Sequence, residues 1–517
     1  MSSEYDIVVL GSGFGGSLIA MIGRSLGLRV LMIERGSHPR FAIGESTSPL
    51  ANLLLEELAK QYELPFLLPF CTYGNWKRTY PEVVCGLKRG FTYYEHHPDK
   101  RFTRNADRSD QLLVAASPRD DIADTHWLRS SFDSFLVDRA VERGVEYCDH
   151  TTIDAVRRNE HSRWTVEGVK SDGRFEVTAR LLIDATGPRG LLQRLLGIPE
   201  VELPRFPKTQ ALFSHFTGVL RCDEMEEFRV AGEPPYSPDD AALHHIVDGG
   251  WMWVLRFDNG VTSAGFSVTD EAAADLGLPG DHERAWSTFM QKYPSIGEQF
   301  AEASAKLPLI YSPRLSYCAE RAAGPGWVML PSAAAFLDPL FSTGIPLTLL
   351  GIERIAKILA ESWETDELEV KLHEYGNTTL QEIRSTAEYI GGSLRSLTDF
   401  PSFAALSMFY FAAASYSEMA RRTDQRSLVT RFLAADRADF RDGMRKCIQR
   451  ICANPRGADD IVCLAADGIE VLNIAGLADV SKRNWYGVDL QGVIDNSHKL
   501  DLSQEEMRKI IATADWV

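Results

Sequence analysis

The 517-residue chain has no pair of cysteines at C-x-x-C or zinc-ligand spacing; Cys71, Cys85, Cys148, Cys222, Cys318, Cys447, Cys452 and Cys463 are scattered. That excludes a disulfide framework and leads us to expect a reduced, cytoplasmic protein. No stretch reaches the roughly 18 uncharged apolar residues of a bilayer crossing. Even 403–416, the most apolar late segment, contains serines, so no membrane span is expected. The opening Met1 to Tyr5 is polar and acidic, without the basic-then-apolar order of a signal peptide. Basic charge is scarce, 55 residues against 72 acidic ones, a balance of −17. A phosphate backbone would be repelled, which excludes nucleic acid as a partner. His96-His97 and His244-His245 have no carboxylate or cysteine at ligand spacing, so no metal is expected. The G-x-S-x-G elbow of acyl-transfer enzymes is absent. What remains is an ordinary globular composition, 44% apolar and 25% charged, long enough for about three units of roughly 150 residues.

Asp6 to Leu10 reads as a buried strand, Gly11-Ser12-Gly13-Phe14-Gly15-Gly16 as a turn, Ser17 to about Leu26 as a helix and Leu28 to Ile33 as a second strand. This βαβ unit predicts an α/β, doubly wound, Rossmann-like sheet. Gly11-x-Gly13-x-x-Gly16 between strand and helix is the context of a dinucleotide site, where backbone can approach a pyrophosphate at a helix N-terminus. Glu34, ending the second strand, suits an adenosine ribose without a 2′-phosphate. Alternating segments over 163–183 and 217–268 predict an inserted mixed or antiparallel sheet at about 200–320. Helical patterns dominate from Pro346 onward, so we divide the chain into a core of residues 1–360 and a helical C-terminal region, 361–517. Residues 232–240 and 452–459 read as loops or linkers. Asp338-Pro339 breaks the chain before Gly344-Ile345-Pro346 opens an apolar helix, leaving the Thr343 and Gly344 amides to face a small anion.

These residues resemble the flavin-dependent halogenases, within the p-hydroxybenzoate hydroxylase-like FAD proteins. The resemblance covers roughly residues 5–360 and rests on the glycine turn, Gly44-Glu45-Ser46-Thr47, Arg129-x-x-Phe132-Asp133-x-x-Leu136, Asp184-Ala185-Thr186-Gly187 and Phe336-x-Asp338-Pro339-x-x-Ser342-x-Gly344. It implies FAD, used as FADH2, on Gly11, Gly13, Phe14, Gly15, Gly16, Glu34 and Arg35. Glu45, Ser46, Thr47, Arg129, Asp184, Gly187, Asp338, Pro339, Gly344 and Ile345 complete the implied flavin side. Chloride or bromide is implied at Ser342, Thr343 and Gly344, oxidised with O2 to a hypohalous acid that a buried lysine steers. Lys88, in Leu87-Lys88-Arg89-Gly90-Phe91-Thr92-Tyr93, is the residue that matches, with Lys77 its rival.

Trp251 and Trp253 match the start of the family's W-x-W-x-I-P element beside the tunnel, but Arg256 stands at the proline position. Ser332 stands where the wider group has a ribityl-binding aspartate. Phe341 stands where tryptophan-specific members carry glutamate, which turns the expectation toward phenol- or pyrrole-type rings. Phe409, Tyr410, Phe411 and Tyr416 fit either a pocket wall or plain core. The resemblance further implies a separate flavin reductase and a small aromatic substrate, free or tethered to a carrier protein, with a homodimer among the open assemblies. A flavin monooxygenase, a geranylgeranyl-reductase-like enzyme and a non-catalytic flavoprotein are the alternatives.

Overall fold

The computed structural model describes residues 3–171, 173–229, 232–454 and 459–513. The apolar run at the N-terminus forms strand Ser3–Leu10, which pairs in parallel with Val30–Ile33 on one side and Gly173–Asp184 on the other. Glu146–Cys148 and Trp327–Met329 extend the parallel sheet outward. All four residues of Val30–Ile33 are buried, as expected of a strand covered on both faces. The intervening helix is Phe14–Ser25, so Gly15 and Gly16 lie in its first turn rather than ahead of it.

The second sheet has nine strands and is antiparallel over Thr209–Thr217, Thr262–Thr269, Gly250–Arg256 and Ala242–Val247. It reaches further than the expected span. Gly90–Glu95 joins Ala242–Val247 in parallel and Gln111–Ala115 follows antiparallel to it, strands that the sequence pattern did not separate from loop. Residues 232–240 are a fixed loop, not a linker: Arg256 holds Asp239 at 2.8 Å and also donates to the carbonyls of Val219 and Leu220. The strand therefore ends on an ion pair where a proline was expected. Of the other soft stretch, residues 455–458 lie outside the described residues.

Residue 360 falls inside helix Gly344–Ser362, and the apolar core crosses it without a break. Leu10, Leu182 and Trp253 belong to the same buried cluster as Tyr389, Phe403 and Tyr410. The later region is mainly helical, with Leu368–Ser396 and Phe400–Arg422 as its long members. It also supplies a strand the sequence did not suggest, Trp485–Tyr486, which pairs in parallel with Leu113 and Val114 at the far side of the second sheet. No described helix is long and apolar enough to cross a membrane.

Candidate active site

The glycine turn brings backbone close enough to backbone that side chains are excluded. A Cβ on Gly16 would overlap the Gly11 carbonyl oxygen, and one on Gly11 would lie 2.6 Å from Ala185 O. Gly13 caps the helix and no side chain caps it in turn, so the first-turn amides stay available for an anion. Glu34 is buried nearby. Its Oε2 accepts from the Ser12 amide and hydroxyl and from Arg40 at 3.1 Å, while Oε1 accepts only the Gly36 amide and keeps capacity for a ribose hydroxyl. His38 Nδ1 and Arg40 Nε are buried there without partners. These orphaned polar atoms and open amides fit a dinucleotide.

The helix at Gly344 starts beside this turn, since a Cβ on Gly15 would meet Thr348 and Leu330. Thr343 is its N-cap and no side chain caps it, leaving open amides as expected. The strained residue is Ser342, with φ 52°, not Gly344, whose φ is not left-handed and whose absent Cβ faces nothing within 4 Å. Nothing in the backbone angles or the surrounding space at Gly344 requires a glycine.

Several residues attributed to the flavin side are engaged by protein. Both Asp184 oxygens are taken, by Thr186 and by the Leu192 amide. Arg129 pairs with Asp133 at 2.7 Å, lies over Phe14 and donates to the Ile43 and Gly44 carbonyls, so it fixes the segment entering 44–47. Asp338 accepts from the Trp251 indole at 3.1 Å and the Ser267 hydroxyl at 2.8 Å, tying the loop before Gly344, the expected anion loop, to the second sheet. Burial lifts its carboxyl to about 6. Arg35 is exposed, and Gly187, with φ 77°, borders open space. Pro339 is half-buried, whereas Ile345 is packed in the core.

Lys88 ends strand Cys85–Lys88, which pairs antiparallel with Asp124–Trp127 and sets Lys88 opposite Asp124. This hairpin lies hard against strand Gly250–Arg256: a Cβ on Gly86 would overlap the Arg256 carbonyl oxygen. The Lys88 side chain has no exposed surface. Its ammonium donates to the Thr47 carbonyl and sits 3.9 Å from the centre of the Phe91 ring. Thr47 in turn exchanges hydrogen bonds with Thr125, and Ser46 bridges to His126, so 44–47 forms a third edge to the hairpin. Glu45 Oε1 accepts from His215 Nε2 at 2.8 Å, with its second oxygen unpartnered. Lys77, the rival, is partly exposed and paired with Asp258 at 2.6 Å.

Desolvation pulls the Lys88 ammonium down, opposed by the charge of Asp124, and the same burial pushes Asp124 up. His126 is held neutral, its pKa lowered to about 3 by burial and by Lys88. The sign of the Lys88 shift makes a prediction. With its folded value lowered from 10.5 to about 7, the unfolded chain binds a proton that the folded chain lacks between those limits, so stability rises with pH there. A Lys88→Met variant loses that slope and retains an Asp124 whose raised value acts in the opposite sense. Melting curves from pH about 7 to about 9 should show the parent gaining on the variant. A constant difference between the two would contradict it.

An unbroken row of rings joins the anion loop to Lys88. Trp251 packs on His244 at 5.3 Å, His244 stacks with Tyr93 at 4.5 Å and with Phe91 at 6.0 Å, and Phe91 meets Tyr410 at 5.7 Å. Trp253 donates from its indole to Ser263 and touches Trp251. Phe341, fully buried, stacks on Tyr410 at 5.0 Å and tilts against Tyr389, so it meets the C-terminal helices directly. Beyond Phe91 opens a cavity of about 960 Å³ between helices Pro49–Gln61 and Phe400–Arg422. Asn52, Asp124, Tyr410 and Phe411 line it, with Glu418 and Arg422 among its charged groups. Arg421 bonds Glu57 at 2.6 Å and Glu353 at 2.9 Å, tying one wall to the other. Thus Tyr410 and Phe411 are wall as well as core, whereas Phe409 packs on Phe440 and Tyr416 donates to the Lys499 carbonyl, away from this space. The sequence reading had missed Asp124 and Asn52; the only signal for Asp124 is its cross-strand place opposite Lys88.

The paired histidines belong to a buried polar chain: His96 Nε2 lies 2.9 Å from His245 Nδ1, and His245 Nε2 the same distance from Gln299. Among the described residues no group of three or more His, Cys, Asp or Glu is placed to hold a metal.

Residues 124–392, just over half of the chain, match a family described as tryptophan halogenase, and residues 6–201 match the FAD dependent oxidoreductases. The chain is 28% identical over 387 residues to monodechloroaminopyrrolnitrin halogenase PrnC of Pseudomonas fluorescens, and 28% identical over 384 residues to tetracycline 7-halogenase of Kitasatospora aureofaciens. Each match takes in 72% of this chain but only 65% and 66% of those relatives, just under two thirds of their length. The solved structure of halogenase PltM in complex with phloroglucinol and FAD superposes with a TM-score of 0.82, covering 93% of this chain and 99% of that one, at 23% identity. That likeness is one of fold.

Proposed function

The chain belongs to the tryptophan halogenase family, with FAD as its cofactor, and on that premise we propose that it halogenates an electron-rich aromatic, of phenol or pyrrole type rather than free tryptophan. The observation that carries the proposal is Lys88: an ammonium with no solvent exposure, set between the rings that lead from the anion loop and the cavity that Phe91 and Asp124 border. Burying a lysine beside one carboxylate is costly, and a protein that only needed a strand residue there would carry an apolar one.

When bound, reduced flavin supplies the electrons that, with O2, turn a halide into hypohalous acid. The first-turn amides at Phe14 to Gly16 and Glu34 are the groups to hold its pyrophosphate and ribose, and the open amides at Thr343 and Gly344, with Ser342 holding the turn, are those to hold the halide. The packed rings keep water from the buried Lys88 ammonium. The lysine receives the oxidised halogen as a hydrogen-bond donor or as a neutral amine; its lowered pKa makes both forms accessible near neutrality. Phe341 in place of a carboxylate puts an apolar ring behind Tyr410, a residue of the cavity wall. The same proposal includes a separate flavin reductase, a substrate either free or on a carrier protein, a homodimer among the assemblies open to it, and a cytoplasmic site, which suits eight unbridged cysteines.

The test is the protein charged with FADH2, exposed to O2 with chloride or bromide and offered phenols, pyrroles and indoles. A product with the halogen isotope pattern and no product without halide are expected. An added oxygen, or two added hydrogens, with no halogen would instead assign the monooxygenase or reductase alternative.

A further inference from the structure

We propose that Asp124 is a catalytic residue of this cavity: its free oxygen accepts the proton of an O–H or N–H borne by the ring, which makes hydroxyarenes and N–H heteroarenes the substrate class, and fully O- or N-alkylated rings poor substrates. The inference rests on the halogenase reading and deepens it.

Asp124 opens the strand opposite Lys88, is 3% exposed and borders the cavity. Its two oxygens are not equivalent. Oδ1 accepts from Asn52 Nδ2 at 2.8 Å, which fixes the carboxyl plane; Oδ2 is buried with no partner at all. An unpartnered buried acceptor is costly unless a ligand satisfies it, and a donor from the cavity side is the one that can. The groups facing it are Lys88 across the hairpin, Glu418 and Arg422 from helix Phe400–Arg422, Tyr410 from the same helix and Asn52 from Pro49–Gln61. Burial raises this carboxyl toward neutral pH, where a general base is most effective.

Asp124 takes the ring hydroxyl proton while a ring carbon attacks the halogen of hypohalous acid. The carbon–halogen bond forms, and the halogen–oxygen pair departs as hydroxide, which becomes water with that proton. The resulting dienone tautomerises, its ring C–H proton moving to the oxygen. The sum is arene plus hypohalous acid giving haloarene plus water, with no further oxidant.

The experiment compares phloroglucinol with 1,3,5-trimethoxybenzene, rings of the same pattern with and without O–H donors, in bromination by the FADH2-loaded protein and in calorimetric binding to the oxidised holoprotein. Asp124→Asn keeps the shape and an acceptor for Asn52. It should lower kcat/KM for phloroglucinol at least about 30-fold more than for trimethoxybenzene, with flavin content equal to the parent. The parent alone should bind phloroglucinol at least about tenfold more tightly than trimethoxybenzene, a reading that needs no variant to fold. An equal loss for both rings would reduce Asp124 to the charge partner of Lys88, and equal affinities in the parent would likewise overturn the assignment. A parent that brominates neither ring overturns the halogenase reading, and the role with it.

Discussion

Lys88→Met should abolish halogenated product while leaving FADH2 oxidation at the parent rate. The loss expected is about 1,000-fold or more, the upper part of the range for removing a group that acts directly on the reacting atoms. The reason is positional. The Lys88 ammonium touches only the Thr47 carbonyl and the Phe91 face, so its removal empties a site without disturbing the glycine turn or the anion loop. No neighbouring amine can replace it: Lys77 is bound to Asp258, and Lys60, at the cavity rim, is largely exposed and paired with Glu56. Methionine nearly matches the volume of lysine in a buried slot and removes the charge, so the variant should fold. Oxygen consumption and mass-spectrometric product yield, measured on one sample, separate the two halves. Product at the parent level from the variant would remove Lys88 from the chemistry; oxygen uptake lost together with product would place its role at the flavin instead.

Gly16→Ala should yield protein without flavin. The added methyl overlaps the Gly11 carbonyl oxygen and approaches Ala185 Cβ at 3.2 Å, so strand and helix must part before the residue fits. Forcing extra carbon into such a contact costs about 1–3 kcal/mol, and here the distortion falls on the uncapped first-turn amides proposed to hold the pyrophosphate. Gly15→Ala is the control from the same turn. Its methyl meets Leu330 Cδ1 at 3.0 Å and Thr348 Cγ2 at 3.2 Å, side-chain atoms able to shift, so flavin should be retained with a smaller fall in melting temperature. Bound FAD by absorbance and the melting curve decide between them; a Gly16→Ala protein with full flavin content would contradict the close approach.

The features legible in sequence are those set by local rules. A glycine turn between an apolar run and a helical pattern gave the Rossmann-like unit, and Gly344-Ile345-Pro346 gave a helix start that the structure places at Gly344. Lys88 was legible only through family resemblance, because nothing local distinguishes a buried lysine from an exposed one. Asp124 and Asn52 were not legible: each lies 36 residues from Lys88, and they meet through strand register in the case of Asp124 and through the packing of helix Pro49–Gln61 in the case of Asn52. Arg256 looked like a defect in an aromatic motif, yet it closes an ion pair with Asp239, a long-range compensation invisible to spacing. The left-handed backbone of Ser342 was not legible either, since dihedral angles in a loop depend on what the loop is tied to, here Trp251 and Ser267 through Asp338.

The short strand Trp485–Tyr486 covers what would otherwise be the open margin of the nine-stranded sheet. Without it, Gln111–Ala115 would present unpaired amides and carbonyls along an apolar strand, the kind of border that recruits other chains. Trp485 and Tyr486 thus act against self-association, and a chain cut ahead of Trp485 should aggregate where the full chain does not.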